Sequence, residues 1–315
     1  MTVLDNFFAG DKLALSKVIS HIEDNGPELS RLLPLLYAKS GSAYRVGLTG
    51  PPGSGKSTLV DKLAEKFANE GKTIGIIAVD PSSPFTGGAL LGDRIRMQKL
   101  IRFKDVFVRS MATRGSSGGL ASSTSEVAMA MDAFGKDIIL IETVGVGQVE
   151  LDIVETCDTT VVVLVPESGD SIQALKAGLM EIADIFVVNK ADRPGANRVV
   201  SELKMILDIK RKKEDWQYPV IPIQAINDIG IDELKIKMTE HRENLQADNK
   251  HRIYRSKKIR SDILRILNKG IKEFISEHLL PEDVLDDYVK AILKGKQNPY
   301  DIARNIIKSL NQDKI

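Results

Sequence analysis

The residues best suited to chemistry lie in one eight-residue run, at positions 50–57. The run matches G-x-x-x-x-G-K-[ST], a loop that wraps backbone N–H groups around phosphates at the start of a helix. Lys56 is expected to reach the β- and γ-phosphates, and the Ser57 hydroxyl to bind Mg²⁺. An apolar run precedes the motif and a helical pattern follows it, which argues against a chance Gly/Ser turn. The predicted phosphate-binding residues are Gly50, Pro51, Pro52, Gly53, Ser54, Gly55, Lys56, Ser57 and Thr58.

A second polar run, at positions 189–192, reads N-K-x-D and directly follows an apolar segment that predicts a strand. The Asp192 carboxylate can accept hydrogen bonds from guanine N1–H and N2–H₂, whereas adenine offers no such pair of donors. The Asn189 amide can address the other edge of the base, and the Lys190 stem can cover the ring face. Polar runs of this kind also cap helices, but after a phosphate-binding loop this one favours guanine over adenine.

Carboxylates at three further positions could complete a magnesium site with Ser57. Glu142 ends the apolar run 138–142 in an E-x-x-G pattern, where GTPases usually have D-x-x-G. It could contact Mg²⁺ directly or through a water, or could instead cap the next turn. Asp80 and Asp93 flank a Gly-rich loop and suit an Mg²⁺ shell or a water-positioning role. Instead of such a role, Asp80 could simply form an Asp-Pro turn, and Asp93 could be a charge on a helix surface.

Small and polar residues that follow two predicted strands could respond to the state of the nucleotide. Gly145 and Gly147 form a Gly-rich segment that could switch, and Gln148 could orient the attacking water. Gln148 follows Gly145 at an offset of three residues rather than one, however. Asp170 and Lys176 lie close enough to share a loop-to-helix junction and could couple nucleotide state to a partner, although Asp170 also suits a helix cap.

The fold must bring these residues together. From residue 45 to about 243, the sequence pattern alternates strands and helices. This alternation, with short continuous apolar strands, predicts an α/β fold with a mostly parallel sheet covered on both faces. Most of the motifs fall at the carboxyl ends of strands, where such sheets bind ligands. The predicted strands are Arg45–Thr49, Thr73–Val79, Val106–Arg109, Asp137–Glu142, Thr159–Val165, Ile185–Val188 and Val220–Ile223.

Three segments are predicted: a helical part at 1–41, a nucleotide domain at 42–245, and a helical part at 246–315. Pro34 predicts a kink or an early end of the second N-terminal helix, and residues 39–42 suggest a flexible linker. The C-terminal part carries an apolar stripe of helical period between residues 259 and 275, which must be buried on the nucleotide domain or on another subunit. A dimer is the favoured prediction.

Composition narrows the class of protein. The formal charge is +1 over 315 residues, so bulk electrostatics indicate no polyanionic partner. Lys and Arg are abundant at 250–275 and 210–213, which predicts solvated helix faces, with nucleic acid or an acidic protein surface as alternatives. One cysteine and four scattered histidines suggest neither an internal disulfide nor a metal cluster. The chain shows no transmembrane or secretion pattern, so a cytoplasmic protein is expected.

Four motifs together resemble the methylmalonyl-CoA mutase-associated GTPases of the MeaB/MMAA type, also known as ArgK or LAO/AO transport kinases. The motifs lie at 78–83, 92–97, 142–148 and 189–192, and the resemblance covers about residues 42–245. It implies a P-loop NTPase of the SIMIBI class with helical extensions at both ends. The sequence departs from the family pattern at two positions. Gln224 stands in place of the usual serine before Ala225, and Val149 precedes Glu150 where many relatives have serine. The Ala225 N–H can still contact guanine O6.

The resemblance implies a GTP-hydrolysing chaperone, typically homodimeric, that gates cobalamin delivery to an adenosylcobalamin-dependent mutase and protects that mutase. Lys56, Ser57, Asp80, Asp93 and Glu142 match the family's phosphate and Mg²⁺ positions, and residues 170–176 match its partner-responsive segment. Competing functions are a P-loop kinase for a transported or small-molecule substrate, a metal-insertion GTPase and a purely regulatory nucleotide-binding module. Neither the identity of the mutase nor direct contact with cobalamin follows from the motifs.

Overall fold

A computed structural model of the chain describes residues 2–26, 28–80, 100, 103–112, 123–143, 149–166, 179–210 and 216–312. It contains a seven-stranded sheet of order β3-β2-β4-β1-β5-β6-β7, in which every pairing is parallel. All seven predicted strands are confirmed, with ends that differ by a few residues. The strands are β1 Tyr44–Thr49, β2 Ile74–Asp80, β3 Val106–Ala112, β4 Ile138–Glu142, β5 Thr159–Leu164, β6 Ile185–Val188 and β7 Val220–Pro222.

Helices precede, connect and follow these strands. The chain divides into two compact units, Met1–Lys250 and His251–Ile315. The helices of the described residues are α1 Val3–Phe8, α2 Lys12–Glu23, α3 Leu29–Lys39, α4 Lys56–Asn69, α5 Thr124–Ala133, α6 Val149–Thr156, α7 Met180–Ile182, α8 Ala196–Lys210, α9 Ile231–Gln246, α10 Asp248–Phe274, α11 Glu282–Leu293 and α12 Pro299–Gln312. A 3₁₀ turn at Ala225–Asn227 and a π-helical stretch at Ile275–Leu279 complete them.

Alternate residues of each central strand enter opposite cores, as the pleat of a β-strand requires. In β5, Val161 and Val163 pack with α4 and α9, whereas Val162 and Leu164 pack with α7 and α8. Helices α1, α2, α3, α5 and α6 cover the residues of β2 and β4 that face away from α4. Burial on both faces explains why these strands are continuously apolar.

The segment between α3 and β1 is held in place by one buried carboxylate on α5, so the prediction of a flexible linker at 39–42 is wrong. Asp132 accepts hydrogen bonds from the backbone N–H groups of Gly41 at 2.8 Å, Ser42 at 3.1 Å and Ala43 at 3.0 Å. The Arg45 guanidinium donates to the same carboxylate at 3.1 Å. Helix α3 also runs past Pro34 to Lys39, so it does not end early.

A buried polar network lies where β1 and β5 begin, at the end of the sheet away from the candidate site. Tyr44 Oη lies 2.5 Å from Thr159 Oγ1, which lies 2.7 Å from His241 Nδ1. Burial lowers the pKa of His241 to about 4, so its imidazole is neutral near pH 7. The ring of Trp216 lies 4.7 Å from that of His241, and its indole N–H donates to the Asp184 carbonyl at 2.8 Å. Trp216 is therefore a spectroscopic probe of this network.

The second unit consists of helices whose apolar side chains remain largely exposed. In α10, Ile263, Ile266, Leu267 and Ile271 keep 52–57% of their surface accessible. No residue of α11 is buried. Among the described residues of the whole chain, no helix is long and apolar enough to cross a membrane.

Candidate functional site

The loop between β1 and α4 is shaped by glycines at its two ends. Gly50 has φ 142° and Gly55 has φ 89°, in a region that side chains rarely adopt. A Cβ on Gly50 would overlap the Val163 carbonyl oxygen of the adjacent strand, and a Cβ on Gly55 would overlap the Asn189 side-chain nitrogen. Glycine is thus needed for backbone conformation and for close packing at both positions. The loop lies against β5 and against the N-K-x-D segment.

Lys56 begins α4, and its ammonium group points back into the loop. The Nζ atom donates to the carbonyl oxygens of Gly50 at 2.8 Å and Pro51 at 3.1 Å. Burial lowers the pKa of Lys56, while the negative charge of Glu142 acts in the opposite direction. A partly desolvated cation at a helix N-terminus interacts strongly with phosphate oxygens. This geometry suits the role predicted for Lys56.

The next residue, Ser57, is joined to the end of β4. Its hydroxyl donates to Glu142 Oε1 at 2.5 Å, so two hard oxygen donors lie side by side. Adjacent oxygens of an octahedral Mg²⁺ shell are about 2.9 Å apart, given metal–oxygen distances of about 2.0–2.1 Å. Moving the two oxygens apart by a few tenths of an ångström would make them suitable as neighbouring ligands. The donor chemistry therefore fits the predicted ion at Ser57 and Glu142.

Thr143 was not singled out from the sequence, yet it joins the ends of β1 and β4. Its N–H donates to the Leu48 carbonyl at 3.1 Å, and its hydroxyl donates to Thr49 Oγ1 at 3.0 Å. Thr49 and Thr143 are both buried, so these bonds are shielded from water. They fix the start of the phosphate loop relative to Glu142. A polar residue directly after Glu142 was the signal available in the sequence.

Asn189 connects the phosphate loop to the segments expected to bind the base. Its Nδ2 donates to the Ser54 carbonyl at 2.8 Å. Its Oδ1 accepts from the backbone N–H of Lys190 at 2.8 Å and from that of Ala225 at 3.1 Å. Both predicted base contacts, the Asn189 amide and the Ala225 N–H, are thus engaged with each other in this structure. The sequence motif did not reveal this structural role.

One cavity of about 490 Å³ joins the phosphate loop to the N-K-x-D segment, a size typical of small-molecule sites. Most of the predicted nucleotide-binding residues therefore share one space. The predicted residues that line it are Gly53, Gly55, Lys56, Ser57, Thr58, Glu142, Asn189, Lys190, Asp192, Gln224 and Ala225. The lining also includes three residues that were not predicted, namely Arg193, Ile226 and Asn227.

Several predicted residues lie outside what the structure describes. Asp80 ends β2, so its backbone stands at the carboxyl edge of the sheet, but its side chain is not among those described. The predicted site residues that lie outside the described ranges are Asp93, Gly145, Gly147, Gln148, Asp170 and Lys176. Their roles stay predictions.

Two further observations concern ion pairs and metal-binding side chains. Arg109, on β3, is ion-paired with Glu23 and also donates to Ser20 Oγ at 3.2 Å. The Arg109 guanidinium is therefore engaged in a salt bridge in this structure. In the part of the chain that the structure describes, no group of three His, Cys, Asp or Glu side chains could hold a metal ion.

Comparison with known proteins gives concordant matches. The family model for the methylmalonyl-CoA mutase-associated GTPase MeaB matches residues 15–278. The GTPase ArgK of Escherichia coli is 31% identical over 297 residues, covering 92% of this chain and 88% of its own. A mouse protein named methylmalonic aciduria type A homolog, mitochondrial, is 33% identical over 270 residues, covering 84% of this chain and 65% of its own.

A solved structure is also similar along almost the whole chain. It is the crystal structure of a protein named LAO/AO transport system kinase, and it aligns with a TM-score of 0.72 at 25% sequence identity. The alignment covers 98% of this chain and 96% of the other. The similarity includes the parallel sheet and its flanking helices.

Proposed function

Since the chain belongs to the family of methylmalonyl-CoA mutase-associated GTPases and is a GTP-hydrolysing enzyme, we propose that it is a chaperone of an adenosylcobalamin-dependent acyl-CoA mutase. In this role, binding and hydrolysis of GTP gate delivery of the cobalamin cofactor and protect the mutase from inactivation. The observation that carries the proposal is the family match over residues 15–278. The cavity that joins the phosphate loop to N-K-x-D supports the nucleotide part of the proposal.

In the proposed complex the guanine base lies next to Asp192, which lines the same cavity as Ser57 of the phosphate loop. Its carboxylate accepts hydrogen bonds from N1–H and N2–H₂ of the base. Lys190 has φ 56°, an uncommon conformation for a residue with a side chain. Such strained positions often occur at binding sites. Asn189 contributes by holding the Ser54 carbonyl and the Ala225 N–H in fixed positions.

The phosphates lie in the loop at positions 50–57. There Lys56 stabilises the negative charge on the phosphoryl group that is transferred to water during hydrolysis. Ser57 and Glu142 would hold Mg²⁺, with Asp80 and Asp93 as further ligands or water-positioning groups. The ion supplies charge neutralisation on the β- and γ-phosphate oxygens when it is bound. Gln148 orients the attacking water. Gly145 and Gly147 give the segment between Glu142 and Gln148 its switching role.

A mutase partner should raise the rate of GTP hydrolysis, because ordering the segments around Gln148 and residues 170–176 would align water and phosphate. Phosphate release should therefore increase when the cognate mutase is added. Lys176→Ala should reduce this increase and leave the intrinsic rate nearly unchanged, since Lys176 lies outside the nucleotide motifs. Lys204→Ala, which changes an exposed lysine on α8, is the matched control.

The proposal of coupling through Lys176 is contradicted if Lys176→Ala lowers intrinsic and stimulated hydrolysis by the same fraction. A parent protein whose hydrolysis does not respond to any adenosylcobalamin-dependent mutase, and which does not alter cofactor loading, contradicts the chaperone role itself. The two results are distinguishable because the second is obtained without any substitution.

We also propose a homodimer assembled through the apolar stripe of α10. Ile263, Ile266, Leu267 and Ile271 lie on one helix and expose 52–57% of their surface, and contiguous exposed apolar side chains often mark a protein–protein interface. Light scattering at micromolar concentration should give the mass of a dimer. The double substitution Ile263→Asp and Leu267→Asp should give a monomer, whereas Met205→Asp, at an exposed position on α8, should not change the mass. A monomeric parent would contradict the proposal and favour packing of the stripe on residues 42–245.

A second candidate is phosphoryl transfer to a small molecule, because the similar solved structure is that of a protein named as a transport system kinase. Transfer to an acceptor would leave GDP without free phosphate, whereas hydrolysis releases GDP and phosphate in equal amounts. Measuring both products from GTP in the absence of added acceptor separates the two reactions, because a kinase then forms neither product, whereas a hydrolase forms both in equal amounts.

A further inference from the structure

An isoleucine lies exposed at the edge of the nucleotide cavity. Ile226 sits in the 3₁₀ turn Ala225–Asn227, and 81% of its surface is accessible. It lines the same cavity as Lys190 and Asp192. Its neighbour Ala225 is buried, so the chain turns Ile226 outwards while anchoring the adjacent residue.

The loop that carries Ile226 is closed by its own hydrogen bonds. The N–H of Gln224 donates to the Ile229 carbonyl at 3.0 Å, and the N–H of Ile229 donates to the Gln224 carbonyl at 3.2 Å. Asp228 adopts φ 59° directly after the 3₁₀ turn. A loop closed in this way presents Ile226 in a defined position.

An ion pair ties the same loop to the helix of the phosphate site. Lys66 on α4 lies 3.3 Å from Asp228 and 3.0 Å from Asp232 at the start of α9. Asn189 holds the loop from the other side through the Ala225 N–H. The position of Ile226 is thus set by the same elements that shape the rest of the cavity.

The composition of the cavity wall indicates what this side chain contacts. Among the described residues that line the cavity, Ile226 is the only large apolar one, and the others are small, polar or charged. Polar groups can recognise the edges of a purine through hydrogen bonds. The faces of the ring are apolar, so contact with hydrocarbon stabilises the bound base. A fixed isoleucine at this rim offers such a surface.

We infer that Ile226 packs against a face of the bound purine and sets the affinity for the base without reading its edge. The inference rests on the guanine site proposed above and adds a residue to it. Because the contact is apolar, it strengthens binding of any purine nucleotide that enters the site. Discrimination between guanine and other bases stays with Asp192.

The test compares the affinities of the parent and the Ile226→Ser variant for GDP, inosine diphosphate and pyrophosphate by calorimetry. Ile226→Ser should weaken binding of GDP and inosine diphosphate equally, by about 5- to 15-fold, because an isoleucine that the bound purine covers in part contributes in proportion to the covered apolar area. Pyrophosphate affinity should not change. Ile226→Met should stay within about twofold of the parent, since hydrocarbon contact is kept.

Ile236→Ser is the matched control, because Ile236 is 53% exposed on α9 and does not line the cavity. Its GDP affinity should equal that of the parent. An Ile226→Ser protein whose GDP affinity is within twofold of the parent overturns the inference, as does an equal loss for pyrophosphate. Failure of the guanine site is a separate result: the parent itself would bind GDP and ADP with equal affinity.

Discussion

GTP hydrolysis should fall by about 100-fold or more when Lys56 is replaced by alanine, since one preorganised electrostatic contact to a transferring phosphoryl group has this magnitude. The Lys56 ammonium is buried and bonded to the carbonyls of Gly50 and Pro51, so it is already positioned in the loop. The measurement is phosphate release at saturating GTP, with the affinity for GDP determined separately. A lower rate at saturation isolates the effect on the transition state.

Lys62→Ala is the control for this experiment, because Lys62 lies on the same helix and forms an ion pair with Glu65, one turn further along, at 4.0 Å. Its hydrolysis rate should stay within about twofold of the parent, as surface pairs of this kind contribute little. If Lys56→Ala turned over GTP at a rate close to that of Lys62→Ala, the placement of Lys56 on the phosphates would be wrong.

The free energy of unfolding of the first unit should fall by about 3–5 kcal/mol when Asp132 is replaced by alanine, because the Arg45 charge and three backbone N–H groups lose their partner. The Asp132 side chain is only 1% exposed, and water can hardly replace it. Urea unfolding followed by the fluorescence of Trp216, the single tryptophan, reports on this unit.

Glu202→Gln provides the comparison for Asp132, since Glu202 pairs with Arg198 on the surface of α8. An exposed i,i+4 pair contributes about 0.3–0.5 kcal/mol, so the unfolding midpoint should hardly move. A midpoint for Asp132→Ala that matches that of Glu202→Gln would show that the segment 41–43 does not depend on the buried carboxylate.

The sheet could be predicted because its signals are local. Continuous apolar runs such as 138–142 and 185–188 become buried strands, and the motifs at 50–57 and 189–192 each directly follow a strand of this kind. Parallel strands place their carboxyl ends at one edge, so the shared cavity also follows from the pattern.

The remaining features depend on contacts between residues far apart in the chain, which spacing does not encode. The sequence around residue 41 is rich in small polar residues, and nothing near it indicates that Asp132 will hold it. Likewise, N-K-x-D predicts a base-reading segment but not the bond from Asn189 to Ser54. The exposure of Ile226 at the cavity rim follows from the closed loop around it, which only the folded chain shows.

The contact between Gly55 and Asn189 has a consequence for how substitutions in this chain combine. The phosphate motif and the base motif are usually counted as two separate signatures, yet here a methyl group on one would collide with the amide of the other. A larger residue at position 55 would displace Asn189, and with it the Ala225 N–H that its oxygen holds. The two signatures therefore form one steric unit, and each limits which residues the other can accept.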